Sequence, residues 1–250
     1  MIRLERCAPP VELTNEKIRE LTNLYLAEGK NVWNVKFIKD QLLAFSFGKC
    51  CYCECRVDEL SAYLEVEHFL PKKIYPEKVV EWKNLLPSCK RCNGEKGEHD
   101  TFANPIVNPT IHYPNDHLYL KAYRFYAKDE LGSKTIDVIN LNDRARKLTQ
   151  ARFQIGEAIC ERLNEVFEQL QEHQITSDLS PKKLRNIKGI ILSLLTESTP
   201  AAEYSATAAT ALFSSENKFD EIKQQMILLQ LWEEEMELLE IQARNGCLFP

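Results

Sequence analysis

Cys50-Cys51-Tyr52-Cys53 and Cys89-Lys90-Arg91-Cys92-Asn93 are the two stretches on which the fold of this chain turns. Each contains a Cys-x-x-Cys pair, and at that spacing a tight turn points both sulfurs to one side, so that two pairs can close a tetrahedral zinc shell. Cys50, Cys53, Cys89 and Cys92 are therefore expected to hold one structural Zn2+ with all four positions closed. Cys51 and Cys55 are spares that could swap into the shell, and Cys7, Cys160 and Cys247 read as core or surface thiols. The zinc would hold together what lies between the pairs, above all Leu64-Glu65-Val66-Glu67-His68-Phe69-Leu70-Pro71 and Asn84-Leu85-Leu86-Pro87.

The intervening residues carry the chemistry. Phosphodiester hydrolysis needs a base to deprotonate water and oxygen ligands for a divalent ion on the phosphate. His68, neutral at physiological pH, fits the base, where the bland reading is a core histidine or an extra zinc ligand. Glu67 and Asn93 would supply oxygen ligands to one Mg2+ or Mn2+, ions that prefer carboxylate, carbonyl and water to thiolate. Asn84 is expected in a loop, its amide bridging backbone groups and holding the strand of His68 in register, or serving as an ordinary turn asparagine. Lys90 and Lys96 are candidate substrate-phosphate contacts or solvated surface charges. His99 reads equally as a second metal ligand, a substrate contact or a loop histidine, and His112, His117 and His173 as structural residues.

Composition bounds the class. At 250 residues, with 44% hydrophobic and 28% charged residues, the chain can bury a real core and is no disordered tract. No apolar stretch is long enough to span a bilayer, and Met1 to Arg6 lacks the apolar core of a signal peptide, so no membrane partner and a cytoplasmic location are expected. Nine cysteines in a reducing compartment then argue for metal or core use rather than disulfides. The net charge of -5 does not advertise nucleic-acid binding, but the charge is segregated. Lys72, Lys73, Lys78, Lys83, Lys90, Arg91 and Lys96 surround the candidate centre, whereas Glu233 to Glu235, Glu237 and Glu240 crowd the far end.

Periodicity and punctuation predict the rest. A helix begins at Thr14 and ends near Gly29, and a second covers Val35 to Phe45. Tyr63 to Val66 suits the first strand of a hairpin, and a short helix from near Arg91 carries Asn93 and Lys96. His117 to Tyr126 and Lys134 to Ile139 are expected to form a strand pair around Gly132. Beyond that the pattern is helical. Asn142 or Asp143 caps a long helix, Ser180-Pro181 and Thr199-Pro200 open two more, and the stripe from Phe219 to Leu239 marks a fourth. The expected organisation is a helical lead-in over 1–48, a zinc-stapled nuclease core over 49–103, a loop and strand pair over 104–141, and a helical region over 142–250. The acidic face near Trp232 to Glu240 is the candidate for partner contact.

The residues around the cysteines resemble the zinc-stapled branch of the HNH endonucleases, a likeness confined to residues 50 to 100. The order of elements already gives the expected fold class, α+β: strand, loop, strand and helix around one metal outline a zinc-stapled ββα-metal finger, with N-terminal helices before it and a mainly helical C-terminal half after it. The likeness implies His68 as general base, Asn84 as organiser of the loop, and Asn93 with Glu67 at the catalytic metal. Two departures stand out: the acid beside His68 is Glu rather than the common Asp, and the closing position is Asn93 rather than His. A wider likeness runs through Met1 to Arg6, Glu67 to Lys72, Glu81 to Cys89, Asn104 to Pro109 and Ile139 to Asn142. These residues resemble the HNH-subunit family of the bacterial Septu anti-phage systems, some of them attached to retrons. That resemblance implies an ABC/SMC-type ATPase partner, PtuA, a nuclease whose activity is unleashed during phage infection and, where a retron is attached, its RNA or DNA as a third component. DNA is the leading reading of the substrate, with double-stranded DNA, single-stranded DNA and RNA left open because the backbone chemistry is shared. The rival reading is a non-catalytic zinc finger that binds nucleic acid or serves the ATPase as an adaptor.

Overall fold

The computed structural model describes residues 1–57, 63–143, 145, 148–176 and 180–250. The chain is α+β, mostly helical with two small sheets, and it divides into two compact units. The first comprises Met1–Leu118 and Tyr126–Asn142, the second Tyr119–Phe125 and Asp143–Pro250.

In the first unit, α1 (Asn15–Glu28) starts where the Thr14 hydroxyl accepts a hydrogen bond from the Lys17 amide at 3.2 Å. It stops at Gly29, whose φ of 66° is the left-handed conformation that glycine adopts freely. Helix α2 (Lys36–Ser46) buries Ile38, Leu42 and Phe45, spaced four and three apart on one face, against strand β2. Strands β1 (Leu64–His68) and β2 (Leu85–Cys89) pair antiparallel, with Val66 opposite Pro87 and His68 opposite Leu85. Pro87 has no amide to offer the ladder, but its carbonyl accepts from the Cys51 amide at 2.9 Å, which ties the first cysteine turn to the hairpin. Helix α3 (Lys90–Lys96) follows β2 directly and packs on both strands.

Helix α4 (Pro114–His117) leads into a second two-stranded sheet of β3 (Leu118–Lys121) and β4 (Arg124–Ala127). The strand expected over Lys134 to Ile139 is instead part of α5 (Glu130–Ile139), a correction with two local causes. Asp129 caps that helix, its carboxylate accepting from the Gly132 amide at 2.8 Å. A Cβ at Gly132 would stand 2.0 Å from the His117 carbonyl oxygen, so this glycine permits a close approach rather than making a hairpin turn.

The second unit is a helical cluster. It contains α6 (Leu148–Thr176), α7 (Pro181–Glu197), α8 (Ser205–Leu212), α9 (Phe219–Leu228) and α10 (Glu234–Arg244). Leu163, Val166, Ile187, Ile191, Leu212, Ile222 and Met236 are buried in its core. Each such side chain contributes about 1.5–3 kcal/mol by leaving water. The Ser180 hydroxyl caps α7, accepting from the Lys183 amide at 3.3 Å. The helix expected to open at Thr199-Pro200 starts later, at Ser205, because a turn runs through Ala202 to a left-handed Tyr204 with φ 50°. The single helix expected from Phe219 to Leu239 is two. Gln230 at φ 58° ends α9, and the Leu231 amide closes the turn on the Met226 carbonyl at 2.8 Å. Glu234, Glu235 and Glu237 then occupy the first turn of α10, where the helix dipole favours negative charge.

Candidate metal centre and active site

The first cysteine turn is tight because the Glu54 amide bonds the Cys50 carbonyl at 3.0 Å and Glu54 itself is left-handed at φ 66°. The second pair is made by a helix end: Cys89 occupies the cap of α3, its sulfur accepting from the Cys92 amide at 3.4 Å. The sulfurs of Cys50, Cys53, Cys89 and Cys92 lie within 4.8 Å of one another, with Cys53 and Cys89 3.8 Å apart. Zinc–sulfur bonds of about 2.3 Å place the corners of a tetrahedral shell about 3.8 Å apart, so these four residues could hold a metal such as zinc. Cys55 sits 3.3 Å from the Cys53 sulfur, at the edge of the set, while Cys51 is buried.

His68 ends β1 and is 4% exposed. Its Nε2–H donates to the Val79 carbonyl at 2.9 Å in the neutral tautomer, which leaves the Nδ1 lone pair to accept a proton. The Trp33 ring meets the imidazole edge-on, with centroids 4.9 Å apart at 90°. Burial pushes the His68 pKa down to about 4, with Lys72 and Lys96 acting the same way, so the ring is neutral near pH 7.

Asn84 holds the chain just past His68. Its side-chain oxygen accepts from the Leu70 amide at 2.7 Å, and its amide donates to the Leu70 and Lys78 carbonyls, both at 3.1 Å. The backbone joins in, as the Phe69 amide donates to the Asn84 carbonyl at 2.9 Å. Through these bonds a residue preceding β2 grips the loop leaving β1.

Glu67 is 1% exposed, and the Lys96 ammonium stands 2.7 Å from its Oε1 in an ion pair without hydrogen-bond alignment. Burial pushes the Glu67 carboxyl up to about 7, and Lys96 opposes that rise. Lys96 also donates to the His68 carbonyl at 2.9 Å. It is 2% exposed, so the structure turns inward a side chain expected at substrate phosphate: α3 packs on the hairpin, and the seventh residue of that helix faces the strands. Lys90, at the start of α3, is exposed. Asn93, half-buried, donates to Glu65 Oε2 at 2.6 Å. His99 bonds the Asn104 carbonyl at 2.7 Å, His112 accepts from the Asn108 amide at 3.0 Å, and His117 bonds Asp129 at 2.6 Å.

The centre thus gathers His68, Glu67, Asn93, Lys72 and Lys73 around a small cleft of about 50 Å3. Glu67 and Asn93 bring oxygen donors of the kind a divalent ion takes to this cleft beside a neutral histidine, with Glu67 Oε1 ion-paired to Lys96 at 2.7 Å and the Asn93 amide nitrogen given to Glu65. Sequence reasoning missed one participant, Trp33, which precedes α2 and which nothing local marks. Glu65, on the strand face of Glu67 by the period of two, and Lys72, four residues beyond His68, were legible as neighbours of the centre but not in these contacts.

No protein-family model matches the chain. It is 44% identical to Septu protein PtuB of Bacillus thuringiensis, over 99% of this chain and 95% of that protein. This chain belongs to the Septu PtuB family. Septu protein PtuB of Bacillus mycoides (strain KBAB4) is 29% identical, over 72% of this chain and 76% of that relative. A shorter likeness, 37% over 90 residues, links this PtuB-family chain to protein ea31 of Escherichia phage lambda, covering 35% of this chain and 28% of the phage protein.

The acidic face expected to meet a partner is largely answered within the second unit. Glu233 pairs with Lys188, Glu237 with Lys223 at 2.9 Å, and Glu240 with Lys223 at 2.6 Å and Arg244 at 2.7 Å. Among the described residues, no helix is long and apolar enough to cross a membrane.

Proposed function

We propose that this PtuB-family chain is an HNH-type endonuclease, hydrolysing phosphodiester bonds of DNA as the nuclease component of an ATPase-coupled Septu defence system. The observation that carries the reading is His68: a buried, neutral imidazole, its Nε2 spent on the Val79 carbonyl and its Nδ1 open, set beside Glu67 and Asn93 on a hairpin-and-helix unit built around four cysteines. In this role His68 takes a proton from the attacking water at Nδ1. Trp33 and the Val79 carbonyl hold the ring's orientation, and Asn84 fixes the loop that follows it. Glu67 and Asn93 would hold the divalent ion, Mg2+ or Mn2+, which supplies charge stabilisation at the phosphate and the leaving oxygen when bound. Zinc at the four cysteines would clamp β2, α3 and the first cysteine turn. A PtuA-like ATPase is the partner that the family name suggests.

The test is cleavage of a plasmid and of a single-stranded DNA circle by the purified chain, alone and with the neighbouring ATPase, in Mg2+ or Mn2+, beside His68→Ala. Cleavage that vanishes in the variant supports the reading, and equal cleavage by both removes His68 from the role of base. One observation favours the rival, a non-catalytic zinc finger: Glu67 is engaged by Lys96 at 2.7 Å and is almost wholly buried. On that reading the chain binds zinc and nucleic acid but cuts nothing in either ion, with or without the ATPase.

A further inference from the structure

A second concavity, about 490 Å3, opens beside the small cleft at His68 and shares Lys72 and Asn93 with it. Its walls come from the segment before and within α2, from β1, and from the start of α3. Trp33, Lys39, Tyr63, Lys72, Lys90 and Asn93 line it. Two features of its walls favour a polyanion with free bases. Lys36, Lys73 and Lys78 nearby are each paired with a carboxylate, whereas Lys39, Lys72 and Lys90 make no ion pair with a carboxylate among the described residues. The one acid on the wall, Glu65, is occupied by the Asn93 amide. The groove also carries aromatic surface: Tyr63 is 78% exposed, and Trp33 has the Lys72 ammonium 4.9 Å from its ring centroid and the His68 ring at right angles to its own.

We infer that this groove binds single-stranded nucleic acid, feeding an unstacked strand to His68. The inference rests on the nuclease reading of the same site and names its substrate class. Lysines without a carboxylate partner suit a phosphodiester backbone, and an exposed tyrosine beside them suits a base. A duplex keeps its bases stacked inside and would use only the lysines, so the aromatic surface has a function only for a strand whose bases are free. The volume agrees, falling in the range of pockets that enclose a small ligand, on the order of 300–1,000 Å3, and so matching a nucleotide or two rather than a double helix. A strand lying on Tyr63 and the three lysines reaches Asn93 and the edge of the cleft that contains His68.

The test is fluorescence anisotropy of a labelled twelve-residue oligothymidylate, in buffer with zinc and no Mg2+ or Mn2+, so that binding is read without cleavage. The wild type is compared with Tyr63→Ala and Lys39→Glu, each checked for unchanged circular dichroism and zinc content, with a blunt duplex as competitor. Expected for Tyr63→Ala is a loss of about 5- to 150-fold for the single strand and little change for the duplex. Lys39→Glu should weaken binding and reduce the slope of log K against log salt by about 0.7 for each phosphate that the variant no longer neutralises. Unchanged affinity in both variants, or a duplex that competes as well as an unlabelled single strand, overturns the inference. The two proposals separate cleanly. Groove binding as described without cleavage in Mg2+ or Mn2+ sinks the nuclease and leaves the groove. Cleavage whose KM for single strands is untouched by either substitution sinks the groove and leaves the nuclease.

Discussion

Lys96→Met gives the sharpest test of how this centre is built. The side chain is 2% exposed, its ammonium 2.7 Å from Glu67 Oε1 and 2.9 Å from the His68 carbonyl. Methionine keeps most of the buried volume but leaves a carboxyl and a carbonyl without their cation. Removing one partner of a buried ion pair destabilises by about 3–5 kcal/mol, and an orphaned buried carbonyl accounts for about 1–3 kcal/mol of such a loss. The deficit has a characteristic pH dependence. In the wild type the Glu67 carboxyl is raised to about 7, so it is charged above that pH only because Lys96 compensates it. Without Lys96 the carboxyl holds its proton to higher pH, and the gap between variant and wild type widens by about 1.4 kcal/mol per pH unit above 7. The assay is urea unfolding at saturating zinc, at pH 7 and pH 8. Adding Glu67→Gln to Lys96→Met should recover about 1–3 kcal/mol, since a neutral amide no longer needs the cation. An unchanged urea midpoint in Lys96→Met, combined with weakened nucleic-acid binding, would refute this reasoning and return Lys96 to the substrate phosphate.

Zinc should bind at one ion per chain, measured by elemental analysis, and Cys89→Ala should abolish it, with loss of structure in the hairpin and α3 visible by hydrogen exchange. Asn84→Ala breaks three hydrogen bonds to loop backbone, and about 2–4 kcal/mol of stability should go with them. An unfolding midpoint equal to the wild type's would show that Asn84 is only a turn residue. For pH, Glu67 and His68 act in opposite senses. Glu67, raised from 4.5 to about 7, contributes stability present at acid pH and lost as pH rises through 7. His68, lowered from 6.5 to about 4, contributes stability present above 6.5 and lost as pH falls toward 4. Between pH 6 and pH 8, His68→Asn should therefore lose about 1 kcal/mol and Glu67→Gln should gain about 1 kcal/mol, each relative to the wild type. Parallel trends in the two variants would mean that burial is not what shifts these groups.

Several elements were legible because their causes are local. Thr14 and Ser180 cap helices where hydroxyls precede apolar-periodic runs, and Gly29 ends α1 in the left-handed region that its lack of a side chain allows. Lys134 to Ile139 misled because a short apolar run fits either period, and only the approach of the His117 carbonyl to Gly132 shows why glycine stands there. The stripe from Phe219 to Leu239 stays in helical phase across a break, so periodicity could not reveal the left-handed Gln230. The acidic face near α10 looked single-signed for a related reason. Its neutralising partners Lys188 and Lys223 lie on other helices, and sequence distance hides them.

The cysteine pairs, the hairpin-flanking helices and the set of residue types around His68 could be read along the chain, because spacing, capping and period are properties of neighbours in sequence. Tertiary structure decided which of those groups are buried and against what. It turned Lys96 inward onto Glu67, joined Asn93 to Glu65 and set Trp33 against the His68 ring. The physical reason is that a pKa, an ion pair or a ring contact depends on the medium and the partners brought within a few ångströms, and those come from parts of the chain that no local pattern connects.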